Sequence, residues 1–169
     1  MDAIEAILSR RSIRKYQKKA VPKKLLDELL NAAMNAPSAG NEQPWHFVVI
    51  KDRKVLDEVP NRHPHADAVK GAPAAIVVCA DPLAGREKDW WVQDCSAATE
   101  NILIAAQAKG LGAVWLGVYP KKDRVEGLKA LLALPQDVIP FSIIPLGYPA
   151  EEKPRESRYQ ASRIHHDRW

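Results

Sequence analysis

The chain has 169 residues, 46% of them hydrophobic and 27% charged, which suits one folded unit and excludes disorder as its main state. Its 25 basic and 21 acidic side chains leave a net charge of +4, too small to demand a polyanionic partner. No stretch approaches the roughly 18 consecutive apolar residues of a membrane span; Met1-Asp2-Ala3-Ile4-Glu5 lacks the positive start of a signal peptide, so a cytoplasmic protein is expected.

Asp2 is placed to cap a first helix running to about Ser9, with Ile4, Ile7 and Leu8 on one face. A basic connection follows, carrying Arg10, Arg11, Arg14, Lys15, Lys18 and Lys19. Pro22 suits the first turn of a second helix, whose stripe of Leu25, Leu26, Leu29, Leu30 and Ala33 ends at Ala36. Pro37-Ser38-Ala39-Gly40-Asn41 reads as a loop, because Pro, Gly and Asn together oppose both regular structures. Trp45 to Ile50 reads as a strand, Asp52 as the cap of a short helix ended by Pro60, and Asn61 to Gly71 as irregular chain.

The unbroken apolar run Ala74 to Ala80 marks a strand covered on both faces. After a polar excursion from Asp81 to Asp89, the longest helix spans about Trp90 to Lys109, with Gly110 in the position that ends helices. Its Ala97, Ala98, Ile102, Leu103, Ala105 and Ala106 make it apolar around most of its circumference, so it is buried under a sheet or in a subunit interface. Trp90 and Trp91 at its start read as core or interface packing, with a place on the substrate side as the alternative. A strand from Ala113 to Tyr119, a helix from Arg124 to Leu132 and a strand from Phe141 to Leu146 complete the set. From Pro149 the chain turns polar, without a helical stripe. Alternating strands and helices indicate a layered α/β arrangement. The opening pair of helices and the lack of G-x-G-x-x-G after the first strand argue against a doubly wound dinucleotide fold. Cys79 and Cys95 sit in apolar stretches without metal-ligand spacing and read as small core residues.

Three segments carry chemistry. If the chain runs extended after Ser9, Arg10, Ser12 and Arg14 share one face, with Arg11 and Ile13 on the other. Two guanidinium forks flanking a hydroxyl suit a phosphate-bearing ligand, while an exposed basic loop fits the same residues. In Pro37-Ser38-Ala39-Gly40-Asn41-Glu42-Gln43-Pro44-Trp45, the small residues let backbone approach a flat ligand, and Ser38, Asn41 and Gln43 can both donate and accept. A helix stop followed by a turn explains that segment equally. In Gly110-Leu111-Gly112-Ala113-Val114-Trp115-Leu116-Gly117, Gly112 suits helix-to-strand packing and Gly117 leaves a strand-end N–H able to meet a ligand.

Taken in order, Arg-Arg-Ser-x-Arg, Pro-Ser-x-x-Asn-x-Gln-Pro-Trp, Gly-Leu-Gly-x-x-Trp-Leu-Gly and the late Lys-Pro-Arg-Glu-Ser-Arg resemble the nitroreductase family of FMN enzymes. The resemblance implies an α+β fold, with a central, mostly antiparallel or mixed sheet flanked by helices in an intertwined homodimer. It implies one domain over 1–169, with 149–169 as an arm on the partner subunit. Non-covalently bound FMN lies at the subunit interface, reduced by NADH or NADPH, with a nitroaromatic, quinone or other small acceptor taking the electrons in ping-pong fashion.

By position, Arg10 and Arg158 match residues that hold the FMN phosphate; Ser12 matches a phosphate or ribityl contact, and Arg11 belongs to the same element. Arg14 matches a contact near the pyrimidine edge, where a fixed cation favours the negative charge that arrives on reduction. Pro37, Ser38 and Ala39 match the loop laid against the partner's flavin, and Asn41 and Gln43 match polar positions around the ring. Trp115, Leu116 and Gly117 match the strip under the ring, with the Gly117 N–H aimed at N5; His65 matches a position that touches the ring edge. Some relatives carry an acidic residue where Gly117 stands. The flavin carries the chemistry, so no nucleophile is nominated and no metal is implied.

Rival readings are weaker. The basic N-terminus is broken by Pro22 and forms no recognition face for nucleic acid. His63, His65, His165 and His166 lack the spacing of a metal site. An FMN-storing or sensing protein without nicotinamide turnover is the alternative that keeps the fold.

Overall fold

A computed structural model describes all 169 residues. Helices α1 (Ala3–Ser9) and α2 (Lys23–Met34) precede strand β1 (Trp45–Ile50). Then come α3 (Arg53–Glu58), α4 (Asp67–Gly71), β2 (Ala74–Ala80) and α5 (Trp91–Ala108). The series ends with β3 (Gly112–Ala113), β4 (Leu116–Gly117), α6 (Lys122–Leu132) and β5 (Ile139–Gly147). The strand order is β1-β2-β5-β3, with β4 also on β5, and every one of these pairings is antiparallel. The fold is α+β, as the resemblance implied.

β2 shows why its sequence is uniformly apolar: all seven residues are buried. With period two, Ala74, Ile76, Val78 and Ala80 join the core shared with α2 and α5, among them Leu26, Leu29, Cys95 and Ile102. Ala75, Val77 and Cys79 face the other way, into a core with Leu56, Val69 and Leu128 from α3, α4 and α6. The sheet is therefore the middle of three layers.

The ends of the helices follow local chemistry. Asp2 accepts from the Ile4 N–H at 2.9 Å, and Asp52 from the Lys54 N–H at 2.7 Å. At the end of α5, Gly110 takes φ +72°, the Leu111 N–H donates to Ala106 O at 2.8 Å, and the Gly110 N–H to Gln107 O at 3.1 Å. This paired closure leaves the chain aimed back at the sheet.

Two expectations are corrected. The stretch Ala113 to Tyr119 is not one strand but β3 and β4, separated by Val114 and Trp115. β3 pairs with Gly147 and Leu146, and β4 with Ile143 and Ser142, so Pro145 lies opposite the break with no N–H to offer. The stretch Asn61 to Gly71, expected to be irregular, holds the single-turn helix α4, which buries Ala68 and Val69.

Candidate active site

The basic segment after α1 is fastened beside the sheet by its apolar members. The Ile13 N–H donates to Ala113 O at 3.0 Å, and Ser12 forms a parallel bridge to Ala113. Ile13 is buried, and it fits there only because residue 112 is glycine: a Cβ at Gly112 would lie 2.6 Å from Ile13 Cγ2. Tyr16 is buried three residues on, its hydroxyl 2.6 Å from Ile13 O and 3.1 Å from Pro145 O. Burial and the nearby Glu151 carboxylate push the Tyr16 phenol well above its ordinary pKa, so it stays a neutral donor.

Around this anchor the cations gather unevenly. Arg10 pairs with Glu100 on α5 at 3.5 Å. Arg11 turns back on α1, donating to Leu8 O and Arg10 O, and its Nε donates to Pro154 O at 2.9 Å. Its Nη2 is buried with no partner. Arg14 is exposed, its backbone N–H held by Glu151 Oε1 at 2.5 Å. That N–H, together with Lys153, holds the Glu151 carboxyl below its usual range.

From the tail, Lys153 Nζ reaches Ser12 O at 2.7 Å. Arg158 does not come to this place: it is exposed and binds Glu156 Oε2 at 2.7 Å within its own segment. An open recess of about 220 Å³ lies here, with Ser9, Arg11, Gln107, Gly112 and Lys153 in its lining.

The Ser12–Ala113 bridge sets this basic end against the strip that follows. Trp115 is half-buried, edge-on to Phe141 at 5.7 Å, and Leu116 is buried in the opposite core. Gly117 is exposed, and a Cβ there would meet nothing within 4 Å. Its carbonyl oxygen is held by His63 Nε2 and Arg124 Nη1, both at 2.8 Å.

His65, the imidazole expected at the site, is exposed, and only its backbone N–H takes part, donating to His63 Nδ1 at 3.2 Å. The buried His63 was missed. Nothing in Asn61-Arg62-His63-Pro64-His65 marks it as buried, and two histidines around one proline gave no means of choosing.

The loop from Pro37 to Gln43 contains a 3₁₀ turn over Ala39–Asn41 and has positive φ at Gly40, Asn41 and Gln43. The turn is held closed from within and without. Ser38 Oγ accepts from the Gln43 N–H at 3.0 Å, Gln43 Nε2 donates to Asn41 Oδ1 at 3.1 Å, and the buried Asp94 on α5 accepts from the Ala39 N–H at 3.1 Å. Glu42 bolts the excursion to the loop, accepting from the Arg86 and Glu87 N–H groups. Backbone strain of this kind is kept where surrounding contacts over-determine it. The loop, Trp90, Gln93 and Asp94 line an open groove of about 610 Å³. Trp91 is in the core, edge-on to Tyr119 at 4.6 Å, whereas Trp90 is exposed to the groove.

The structure thus holds a basic anchor, an open glycine strip and a tightly held loop, and comparison with known proteins decides the family. The nitroreductase family model matches residues 7–63 and 60–148. The chain belongs to the nitroreductase family. This nitroreductase-family oxidoreductase is 53% identical, over its whole length and 88% of the relative, to a protein of Methanothermobacter thermautotrophicus provisionally named NADH dehydrogenase/NAD(P)H nitroreductase.

Among solved structures, the FMN-dependent nitroreductase of Clostridium difficile has a TM-score of 0.92 at 30% identity, with 98% of this chain and 99% of that one covered. A Desulfovibrio desulfuricans protein provisionally named a nitroreductase, solved in complex with FMN, has a TM-score of 0.85 at 32% identity, covering 100% and 98% of the two chains. No helix of this nitroreductase-family chain is long and apolar enough to cross a membrane.

Proposed function

We propose that this protein is an FMN-dependent oxidoreductase that passes hydride from NADH or NADPH to a nitroaromatic, quinone or other small acceptor by a ping-pong mechanism. The observation that carries the reading is the Ser12–Ala113 bridge, which sets a cationic anchor beside the open Gly117 strip. The residues fit the cofactor. The buried, unpartnered Arg11 Nη2 lacks an acceptor, and Arg10, Ser12 and Lys153 stand in the same segment or bond to it. An orphaned buried donor costs roughly 1–3 kcal/mol, and a phosphate offers the acceptor it lacks.

When bound, FMN supplies the two-electron chemistry, accepting hydride from the nicotinamide and passing it on. The chain supplies binding and field. Arg10, Arg11, Ser12 and Lys153 would hold the phosphate, and Arg14 would place positive charge at the pyrimidine edge. Trp115, Leu116 and Gly117 would bear the ring. Gly117 presents only backbone on its open side, so the flat ring can lie close.

The same reading makes the protein a homodimer, with Pro37, Ser38, Ala39, Asn41 and Gln43 set against the partner's flavin. Residues 152–169 are exposed throughout, which supports a tail whose packing partner is another subunit. The test is anaerobic addition of NADH or NADPH to the FMN-loaded protein. Bleaching of the flavin, and its return when a quinone or nitroaromatic is added, is the expected result. A yellow protein inert to both nicotinamides contradicts turnover and leaves a flavin-storing protein.

A further inference from the structure

We infer that His63 and Arg124 form a clamp that positions Gly117 against the flavin, an inference that rests on the FMN reading above. The clamp is built from two separate elements. His63 lies in the turn before α4 and is 2% exposed, and Arg124 lies in the first turn of α6. Both reach one atom, the Gly117 carbonyl oxygen, at 2.8 Å.

The tautomer follows from the partners. His63 Nδ1 receives the His65 N–H, so on the neutral ring the proton belongs on Nε2, where it donates to Gly117 O; Arg124 Nη1, 3.4 Å from that nitrogen, directs its own N–H to the same oxygen. The peptide joining Gly117 to Val118 is also held at its other end, because the Val118 N–H donates to Phe141 O at 3.0 Å.

A clamp is needed at this residue more than at its neighbours. Trp115 and Leu116 are fixed by packing against the two cores, whereas Gly117 has no side chain and nothing above it. Glycine also has the widest backbone freedom of any residue. Without outside donors, the part of the strip that faces the ring would be its least defined part.

The clamp is retained at a cost to the fold. Arg124 Nε is buried without a partner, and a cation half-satisfied in this way does not stabilise a fold by itself. His65, though expected at the ring, would serve as the backbone donor that sets the His63 tautomer.

The test compares the unsubstituted protein with His63→Phe, which keeps a buried ring without the donor, and His63→Gln, which restores an N–H near the Nε2 position. FMN affinity is read by fluorescence quenching and the flavin environment by its visible absorption band. His63→Phe is expected to weaken FMN binding roughly three- to tenfold, the value of one neutral hydrogen bond, and to shift the band; His63→Gln is expected to recover most of both. Nitrogen-15 NMR of the FMN-free, unsubstituted protein is expected to show the Nε2–H tautomer of His63, with its resonances moving when FMN is added.

A folded His63→Phe protein with unchanged affinity and band overturns the clamp alone, as does an Nδ1–H tautomer. If His63→Phe does not fold, His63→Gln and the NMR measurement decide on the same criteria. An unsubstituted protein that binds no FMN overturns the flavin reading, and the clamp with it.

Discussion

Lys153 Nζ stands 2.7 Å from the carbonyl oxygen of Ser12, joining the two ends of the chain across 141 positions. The resemblance assigned the late phosphate cation to Arg158, but the structure brings Lys153 to the basic segment. Lys153→Met is therefore expected to weaken FMN binding roughly ten- to a hundredfold, the value of one shielded charge-assisted bond. Arg158→Ala, which breaks only an exposed pair with Glu156, is expected to have a smaller effect. Equilibrium titration with FMN checks both. An Arg158 effect larger than that of Lys153 would restore the original assignment.

Gly112→Ala tests the anchor beneath the site. The new Cβ would lie 2.6 Å from Ile13 Cγ2 and 2.8 Å from Ile13 Cβ, so no change of Ile13 rotamer relieves the clash. Overpacking of this kind costs about 1–3 kcal/mol, read as a lower denaturant midpoint at unchanged slope. Since Ile13 carries Ser12 and Arg14 on either side, the same variant is expected to bind FMN more weakly than its loss of stability alone explains.

Acid should weaken the fold through His63. Burial is the main cause that lowers its pKa below the ordinary 6.5, aided by the positive Arg124 and by His65. The folded state then binds fewer protons than the unfolded chain between the lowered value and about 6.5, so stability rises with pH across that window. Urea midpoints should fall as pH is taken below about 6.5, and the slope should be shallower in His63→Phe. An equal slope in the two proteins would remove His63 as its source.

Cys79 and Cys95 are buried thiols whose pKa burial pushes up to about 12. A neutral thiol is a poor nucleophile. Neither should react with an alkylating reagent at neutral pH until the protein unfolds, so labelling followed by mass spectrometry should track global unfolding. Rapid labelling of the folded protein would contradict the described core.

Legibility in the sequence followed the range of the interactions involved. β2 and α5 were readable because an apolar run and a long small-residue helix ended by Gly110 carry their own signal. The split between β3 and β4 was not, since it depends on Pro145 in another strand. α4 was missed because a five-residue helix shows little period. The motifs located the basic segment, the loop and the glycine strip. They could not show that His63 and not His65 is bonded to Gly117, or that Lys153 and not Arg158 reaches the basic segment, because each contact spans more than 50 positions of the chain. Ser38 and Gln43, expected to face a ligand, hydrogen-bond within their own loop, a use that only the folded turn reveals.

The central claim is that cations from both ends of the chain surround the phosphate of one flavin, and comparing FMN with riboflavin tests it most directly. Calorimetric titration of the ligand-free protein should give FMN at least a hundredfold tighter than riboflavin, since two charge-assisted bonds of about 1.5–3 kcal/mol each depend on the phosphate. That gap should narrow in Arg10→Ala and Lys153→Met. Equal affinity for the two ligands in the unsubstituted protein would contradict the account.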